Sequence, residues 1–209
     1  PVTIELGSTY IDAGATADGG EIVITSGTIP YISGTFVTST VGSYTLTYSA
    51  TDIDGNTGTT TRVVNIVDTT APQITSNPNF TAYENQSEIG EVLAFDLSPV
   101  ITFTVSGSEL AITSAGVLTF VSAPDYETKS SYTATVTASD GTNSTTQGIT
   151  INVTNVNEAP VFTSGATFSA SENQTAIDTV TATDADGDAV TFTVSGSELA
   201  ITSAGVLTF

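Results

Sequence analysis

"TFTVSGSELAITSAGVLTF" stands at residues 102–120 and again, letter for letter, at residues 191–209. The two copies set a period of 191 − 102 = 89 residues. Upstream, YENQSEIG (83–90) aligns with SENQTAID (171–178), and Glu84 falls on Glu172 at 172 − 84 = 88 residues. The registers differ by one because FDLSPVI (95–101) faces TDADGDAV (183–190), which has one residue more. An internal repeat of this length is one folding unit copied, and a unit of that size can bury a core of its own.

What the unit is made of follows from its alternation. SYTLTY (43–48) puts Tyr44, Leu46 and Tyr48 on one face and Thr45 and Thr47 on the other. Residues 133–137 behave the same way, and in 148–154 Ile149, Ile151 and Val153 point inward. Period two, bounded by Gly, Asp, Asn and Pro clusters, marks half-buried antiparallel strands. The outward residues are largely Thr, which suits a pleated, solvated face. No stretch reads as an amphipathic helix. The fold class is therefore all-β, as tandem Greek-key β-sandwiches in an extended array. Two proline-bearing hinges, VDTTAP (67–72) and NVNEAP (155–160), divide the chain. The expected modules are 1–70, 71–158 and 159–209, the last being the first half of a further copy. On this reading the chain is a window onto a longer array with more copies beyond Phe209. A half-sandwich has an open edge, which unseen residues or another chain must complete.

Composition limits the chemistry. There are 22 acidic residues against two cations, Arg62 and Lys129, for a net charge of −20. The mean hydropathy is nonetheless positive, +0.19, so cores can form and the acids must lie on surfaces or in sites. Two cations cannot supply the basic footprint a phosphate backbone needs, which excludes nucleic acid. The same charge disfavours anionic membrane surfaces, and no apolar run reaches the ~20 residues of a span. The chain has no Cys and no His, which removes disulfides, thiol catalysis and most nucleophile–base pairs. Paired carboxylates could do glycoside chemistry, but here they sit in repeated hinges rather than one cleft, so no enzyme is expected. Tyr10, Tyr31, Tyr44 and Tyr48 fall at strand spacing and read as core rather than as sugar-stacking groups.

The acids cluster at the second hinge. Glu84 lies in YEN, Asp125 and Glu127 in DYE, Asn155, Asn157 and Glu158 in NVNE, and Asp184, Asp186 and Asp188 in DADGD. Many hard oxygen donors without nitrogen or sulfur ligands suit Ca²⁺, which takes six to eight oxygens. A bent D-x-D loop can aim both carboxylates at one ion. DADGD by itself also reads as a surface turn. The first hinge is poorer: VDTTAP supplies Asp68 alone, and Asp96 in FDLSP lacks an acid two residues on. Weak or absent calcium is expected there, with the junction either bending freely or held by direct packing.

These motifs resemble a known family. Residues 73–209 are similar to cadherin-type repeats in their bacterial cadherin-like version, through x-E-N at Glu84–Asn85, D-Y-E at 125–127, A-S-D-G at 138–141, N-V-N-E-A-P at 155–160 and D-A-D at 184–186. The resemblance implies calcium at each junction. Its implied ligands are Glu84, Asp125, Glu127, Asn157, Glu158, Asp184 and Asp186. Asn155 stands where the family usually has Asp, and Glu158 where it usually has a second Asp, which leaves affinity and ion number open. Residues 3–68 resemble the bacterial surface-protein immunoglobulin-like domain, with the first strand missing. In it, TDIDGN (51–56) reads as a hairpin turn, while Asp12, Asp18 and Glu21 could form a loop site.

The expected role is a segment of an extracellular, cell-surface adhesin: a calcium-stiffened rod for adhesion or for a surface filament. Its partners would be other repeats of the same array, homophilic or filament contacts, or cell-surface and matrix glycans. Accessory carbohydrate-binding or spacer modules of a secreted polysaccharide hydrolase are the alternative, and a self-assembling filament subunit is a third.

Overall fold

The alternation of residues 43–48 is realised in a long antiparallel hairpin, Gly42–Thr51 with Thr57–Val67, paired from Gly42↔Ile66 to Thr51↔Thr57. The computed structural model describes residues 1–15, 24–27, 31–32, 35–36 and 39–209. Every regular element among them is a β-strand. The hairpin turn is TDIDGN: Asp52 Oδ1 accepts the amides of Asp54 and Asn56, and Oδ2 accepts the Asn56 side-chain amide. Both oxygens are thus taken up within the loop.

Leu46, Tyr48 and Val64 face inward from this hairpin and form a core against which Ile4, Tyr10, Ala15 and Tyr44 pack. Val2–Glu5 lies parallel to Thr57–Val67, with Val2 opposite Val64 and Glu5 opposite Val67. Ile24–Gly27 completes the sheet on the other edge of the hairpin. A small second sheet holds Tyr10–Ile11, Thr35–Phe36 and Tyr31–Ile32. An Asp12 carboxylate lies between the two. It accepts Tyr10 Oη at 2.8 Å, Tyr48 Oη at 2.6 Å and the Gly14 amide at 2.9 Å, and pairs with Arg62. The Arg62 guanidinium also donates to Gly14 O and stacks over the Tyr48 ring. A buried carboxylate with this many donors is held charged. Burial, and then the bond to Asp12, push the Tyr48 hydroxyl up to about 12.

Contacts divide the chain into two compact units. One comprises Pro1–Pro78, Gly90–Thr119 and Ala134–Ile149; the other comprises Asn79–Ile89, Phe120–Thr133 and Thr150–Phe209. In the first, beyond the hairpin sheet, Thr102–Val105 pairs antiparallel with Ser131–Ser139, Phe103 opposite Ala138 and Val105 opposite Val136. Gln73–Ile74 pairs with Ala94–Phe95. In the second, Asn79–Tyr83 lies parallel to the end of Ser144–Thr154, with Asn79 opposite Thr150 and Tyr83 opposite Thr154. Val161–Phe162 pairs with Ala182–Thr183, and Ala176–Thr179, Val206–Thr208 and Ala200–Ile201 form a three-stranded sheet. Twice, then, an early strand runs parallel beside a late one, as Greek-key sandwiches require when the chain changes sheets. Ile149, Ile151 and Val153 are buried, as their alternation demands.

The verbatim repeat folds alike only in part. Both copies close the same turn: the Gly116 amide reaches Thr113 O and the Gly205 amide reaches Thr202 O. Both glycines have positive φ, +96° and +89°. A Cβ on Gly116 would lie 2.3 Å from Val92 O, and one on Gly205 2.2 Å from Val180 O. The strand Thr102–Val105, however, has no counterpart at 191–194. Leu110 and Phe120 are 5% and 3% exposed, whereas Leu199 and Phe209 are 37% and 62% exposed. Thr102–Val105 is held as a strand by its pairing with Ser131–Ser139.

Gly116→Ala should cost at least about 2 kcal/mol, from left-handed strain and the clash with Val92 O; urea unfolding measures it, and a change within error would contradict the turn described. The raised Tyr48 value gives stability that is present below the ordinary tyrosine value of 10.0 and lost as pH rises towards about 12. Tyrosinate absorbance should show this hydroxyl ionising last and together with loss of the hairpin's circular dichroism.

Candidate metal centre

Glu84 follows directly on the strand Asn79–Tyr83, its amide bonded to Thr154 O. It is only 3% exposed, where an ionised side chain is costly unless its oxygens are occupied. They are: Oε2 accepts the Tyr126 amide at 2.8 Å and Oε1 the Val156 amide at 2.7 Å. One carboxylate thereby ties the D-Y-E loop and the N-V-N-E segment to the strand end. The chain turns at Asn85, a non-glycine residue at φ 63°, whose amide bonds Pro124 O.

That turn aims the remaining groups. Asp125 closes its own loop by accepting the Thr128 amide and hydroxyl at 2.9 and 3.0 Å. Glu127 Oε1 accepts Asn155 Nδ2 at 2.9 Å. Asp186 Oδ2 accepts the Glu158 amide at 2.8 Å, bringing the DADGD turn to the connecting segment. Carboxylate oxygens of Glu84, Asp125 and Glu127 lie within 4.8 Å of one another, as do those of Glu127, Glu158 and Asp186. Glu127 belongs to both groups.

Of the residues singled out from the sequence, Glu84, Asp125, Glu127, Glu158 and Asp186 are brought together. Asn155 touches Glu127, and Asn157 Nδ2 donates to Glu158 O. Asp184 joins neither group; it accepts the Asp188 amide at 3.2 Å inside its own turn. Asp18 and Glu21 lie outside the described residues. Two participants were not singled out. Asn85 donates to Glu158 Oε1, and its signal was the N of x-E-N. Asp140, the acid of A-S-D-G, joins Asp68 and Asp96, their carboxylate oxygens within 4.8 Å of one another. Asp68 is therefore not alone at the first hinge.

The electrostatics at the second hinge are those of crowded anions. Glu127 is pushed above the ordinary glutamate value, first by loss of hydration and then by Glu84, Asp186 and Asp125. Glu158 is raised likewise, first by loss of hydration and then, against the bond from Asn85, by Glu84, Asp186 and Glu127. Asp186 is held low by the Glu158 amide and by Asn155. The donor set is all oxygen, and Glu158 Oε2 is shielded from solvent with no hydrogen-bond partner. Such a set fits a hard divalent cation.

Residues 1–66 match the family model for the bacterial surface protein, Ig-like domain. The chain is also 40% identical, over 103 residues, to the mouse protein "Cadherin EGF LAG seven-pass G-type receptor 1"; the match takes in 44% of this chain and 3% of that protein. The chain is Ig-like at its start and cadherin-like in sequence. Solved structures similar to it include mouse Cadherin-23 EC22-24 (TM-score 0.45, 17% identity, 99% of this chain and 83% of that one). Human Protocadherin-24 EC1-2 is similar at TM-score 0.48 and 21% identity, over 66% and 79%. Drosophila N-cadherin EC1-4 is similar at TM-score 0.44 and 19% identity, over 99% and 63%. Among the described residues no helix is long and apolar enough to cross a membrane, which says nothing of β-barrels.

Because Glu127 and Glu158 are raised in the folded chain, it binds their protons more tightly than the unfolded chain does. That contribution is present below the ordinary value of 4.5 and lost as pH rises through the folded-state values. Asp186 acts with the opposite sign, lost as pH falls below 3.8. In chelator, the melting temperature should rise as pH is lowered from neutrality towards the carboxylate range, and Glu127→Gln/Glu158→Gln should flatten that slope. An unchanged slope in the double variant would count against crowding at these two groups.

Proposed function

We propose that this chain is a segment of an extracellular surface protein, a rod of β-sandwich modules at 1–70, 71–158 and 159–209 stiffened by calcium for adhesion or for a surface filament. The observation that carries the reading is the convergence of Glu84, Asp125, Glu127, Glu158 and Asp186 from separate segments. Glu127, which belongs to both carboxylate groups, would help to hold an ion in either. Asn155 and Asn157 would add oxygens from the connecting segment; Asp184, held in its own turn, would join only if that turn moved.

The physical logic links ion to stiffness. Carboxylates this close repel one another without a cation, and Glu127 and Glu158, raised first by loss of hydration, are raised further by their acidic neighbours. A bound ion converts it into attraction and ties DYE, NVNE and DADGD together. Extracellular modules of this kind hold calcium at about 10⁻⁴–10⁻³ M, a range matched to the outside of cells. The match at 1–66 to a domain of bacterial surface proteins supports the location. Partners would be further repeats of the array or surface glycans, and the acids act as ligands, not as catalysts.

Calorimetric titration of the whole chain should show saturable calcium binding at about 10⁻⁴–10⁻³ M or tighter. Asp186→Asn and Glu127→Gln should each weaken it by at least about tenfold, equivalent to 1.4 kcal/mol. Absence of any saturable heat in the parent chain would sink the calcium reading and leave the acids as solvation.

A further inference from the structure

The first junction is built differently from the second, and the difference is visible residue by residue. At an offset of 88, Phe95, Asp96, Leu97 and Ser98 face Thr183, Asp184, Ala185 and Asp186. Where the later repeat carries an acid that reaches the connecting segment, the earlier one carries Ser98. Its amide donates back to Asp96 Oδ1 at 2.7 Å. Where the later repeat has Ala185, the earlier one has the much larger Leu97.

Leu97 has a definite seat. The chain leaves the strand Val2–Glu5 through a turn in which the Ser8 amide bonds Glu5 O and Gly7 takes φ +75°. A Cβ on Gly7 would lie 2.7 Å from Leu97 Cδ1. The positive φ favours glycine here, and the leucine tip lies where a side chain at this position would begin. Leu6, Ala71, Phe95 and Leu97 form the apolar wall of one cavity of about 220 Å³. Of these, Leu6 is buried.

Hydrogen bonds close the same place. Glu5 Oε1 accepts the Thr69 amide at 2.8 Å and the Thr70 hydroxyl at 3.0 Å, while Oε2 accepts the Thr69 hydroxyl at 2.7 Å. Asn143 Nδ2 donates to Asp68 O at 3.1 Å. The connecting segment is thus gripped from the Ig-like side by Glu5 and from the following repeat by Asn143. Of the nearby acids, Asp140 takes the Thr142 and Asn143 amides on one oxygen and Asn143 Nδ2 on the other, while Asp96 takes the Ser98 amide and Asp68 the Thr70 amide on one oxygen each.

We propose that the joint between the Ig-like domain and the following repeat is closed by direct contact, Leu97 over Gly7 with Glu5 and Asn143 gripping 68–70, and is rigid without any cation. The chain would then carry two unlike joints, one permanent and one responsive to calcium. This proposal does not rest on calcium binding at the second hinge.

The chain has no cysteine, so spin labels at Thr45→Cys and Thr135→Cys report this joint in the whole protein. Both sites are exposed. The distance distribution in chelator should be narrow and unchanged by calcium. Leu97→Ser should remove the narrow component, and Glu5→Gln should broaden it less. Leu97 is 61% exposed, so its truncation leaves the cores intact, which thermal melting of the variant confirms. A broad distribution in chelator that narrows with calcium would overturn the proposal and give the joint to Asp68, Asp96 and Asp140. A narrow distribution that survives Leu97→Ser would overturn the part assigned to the leucine.

Discussion

Everything at the second hinge hangs on one buried carboxylate. Glu84 ends a strand and has almost no access to water, and each of its oxygens is occupied by a backbone amide. Hydrogen bonds to a charged acceptor contribute about 1.5–3 kcal/mol each, comparable with what leaving such a group bare would cost. The amides belong to Tyr126 and Val156, which stand beside Asp125, Glu127 and Glu158 in sequence. Satisfying one buried charge therefore also places three others. A glutamine at this position would accept one of the two amides and set its own NH2 against the other N–H, so the geometry selects an acid.

The duplicated stretch separates what local sequence decides from what pairing decides. In both copies the Gly116 and Gly205 turns close identically, because positive φ and a neighbouring carbonyl where a Cβ would sit are demands met within a few residues and one adjacent strand. The strand at Thr102–Val105 is held by its ladder partner Ser131–Ser139, which the alternation of its own letters does not supply. Turns and facing were thus legible from the letters. Which alternating segment becomes a ladder depended on a partner far along the chain.

The same division runs through the site. Glu84, DYE, NVNE and the second acid of DADGD were recognisable because each is a short motif in register with the repeat. Asn85 was harder: its contribution depends on a left-handed turn that swings its amide towards Glu158, and no spacing announces that. Asp140 was harder still. It comes from the far end of a strand that pairs with Thr102–Val105, and only the folded topology brings it to Asp68 and Asp96. DADGD behaved as both of its readings at once, since Asp184 serves the turn and Asp186 reaches across to the Glu158 amide.

An acidic chain with two cations has two ways to place a carboxylate, and this fold uses both. Asp52 and Asp140 are consumed by amides of their own loops, which lowers both, and such acids are finished without help from an ion. Glu127 and Glu158 are not finished. They face other carboxylates, both are raised, and one oxygen of Glu158 is left shielded and without a partner. The first kind can stand in any number at turns, since each acid carries its own donors with it. Asp68 at the first hinge belongs with Glu127 and Glu158, raised first by loss of hydration and then by Asp96, Asp140 and Glu5. Counting acids cannot distinguish the two, because Asp68, Asp96 and Asp140 lie as close together as the others. What distinguishes one acid from another is whether each oxygen already has a hydrogen to accept: both oxygens of Asp52 and Asp140 do, and Oε2 of Glu158 does not.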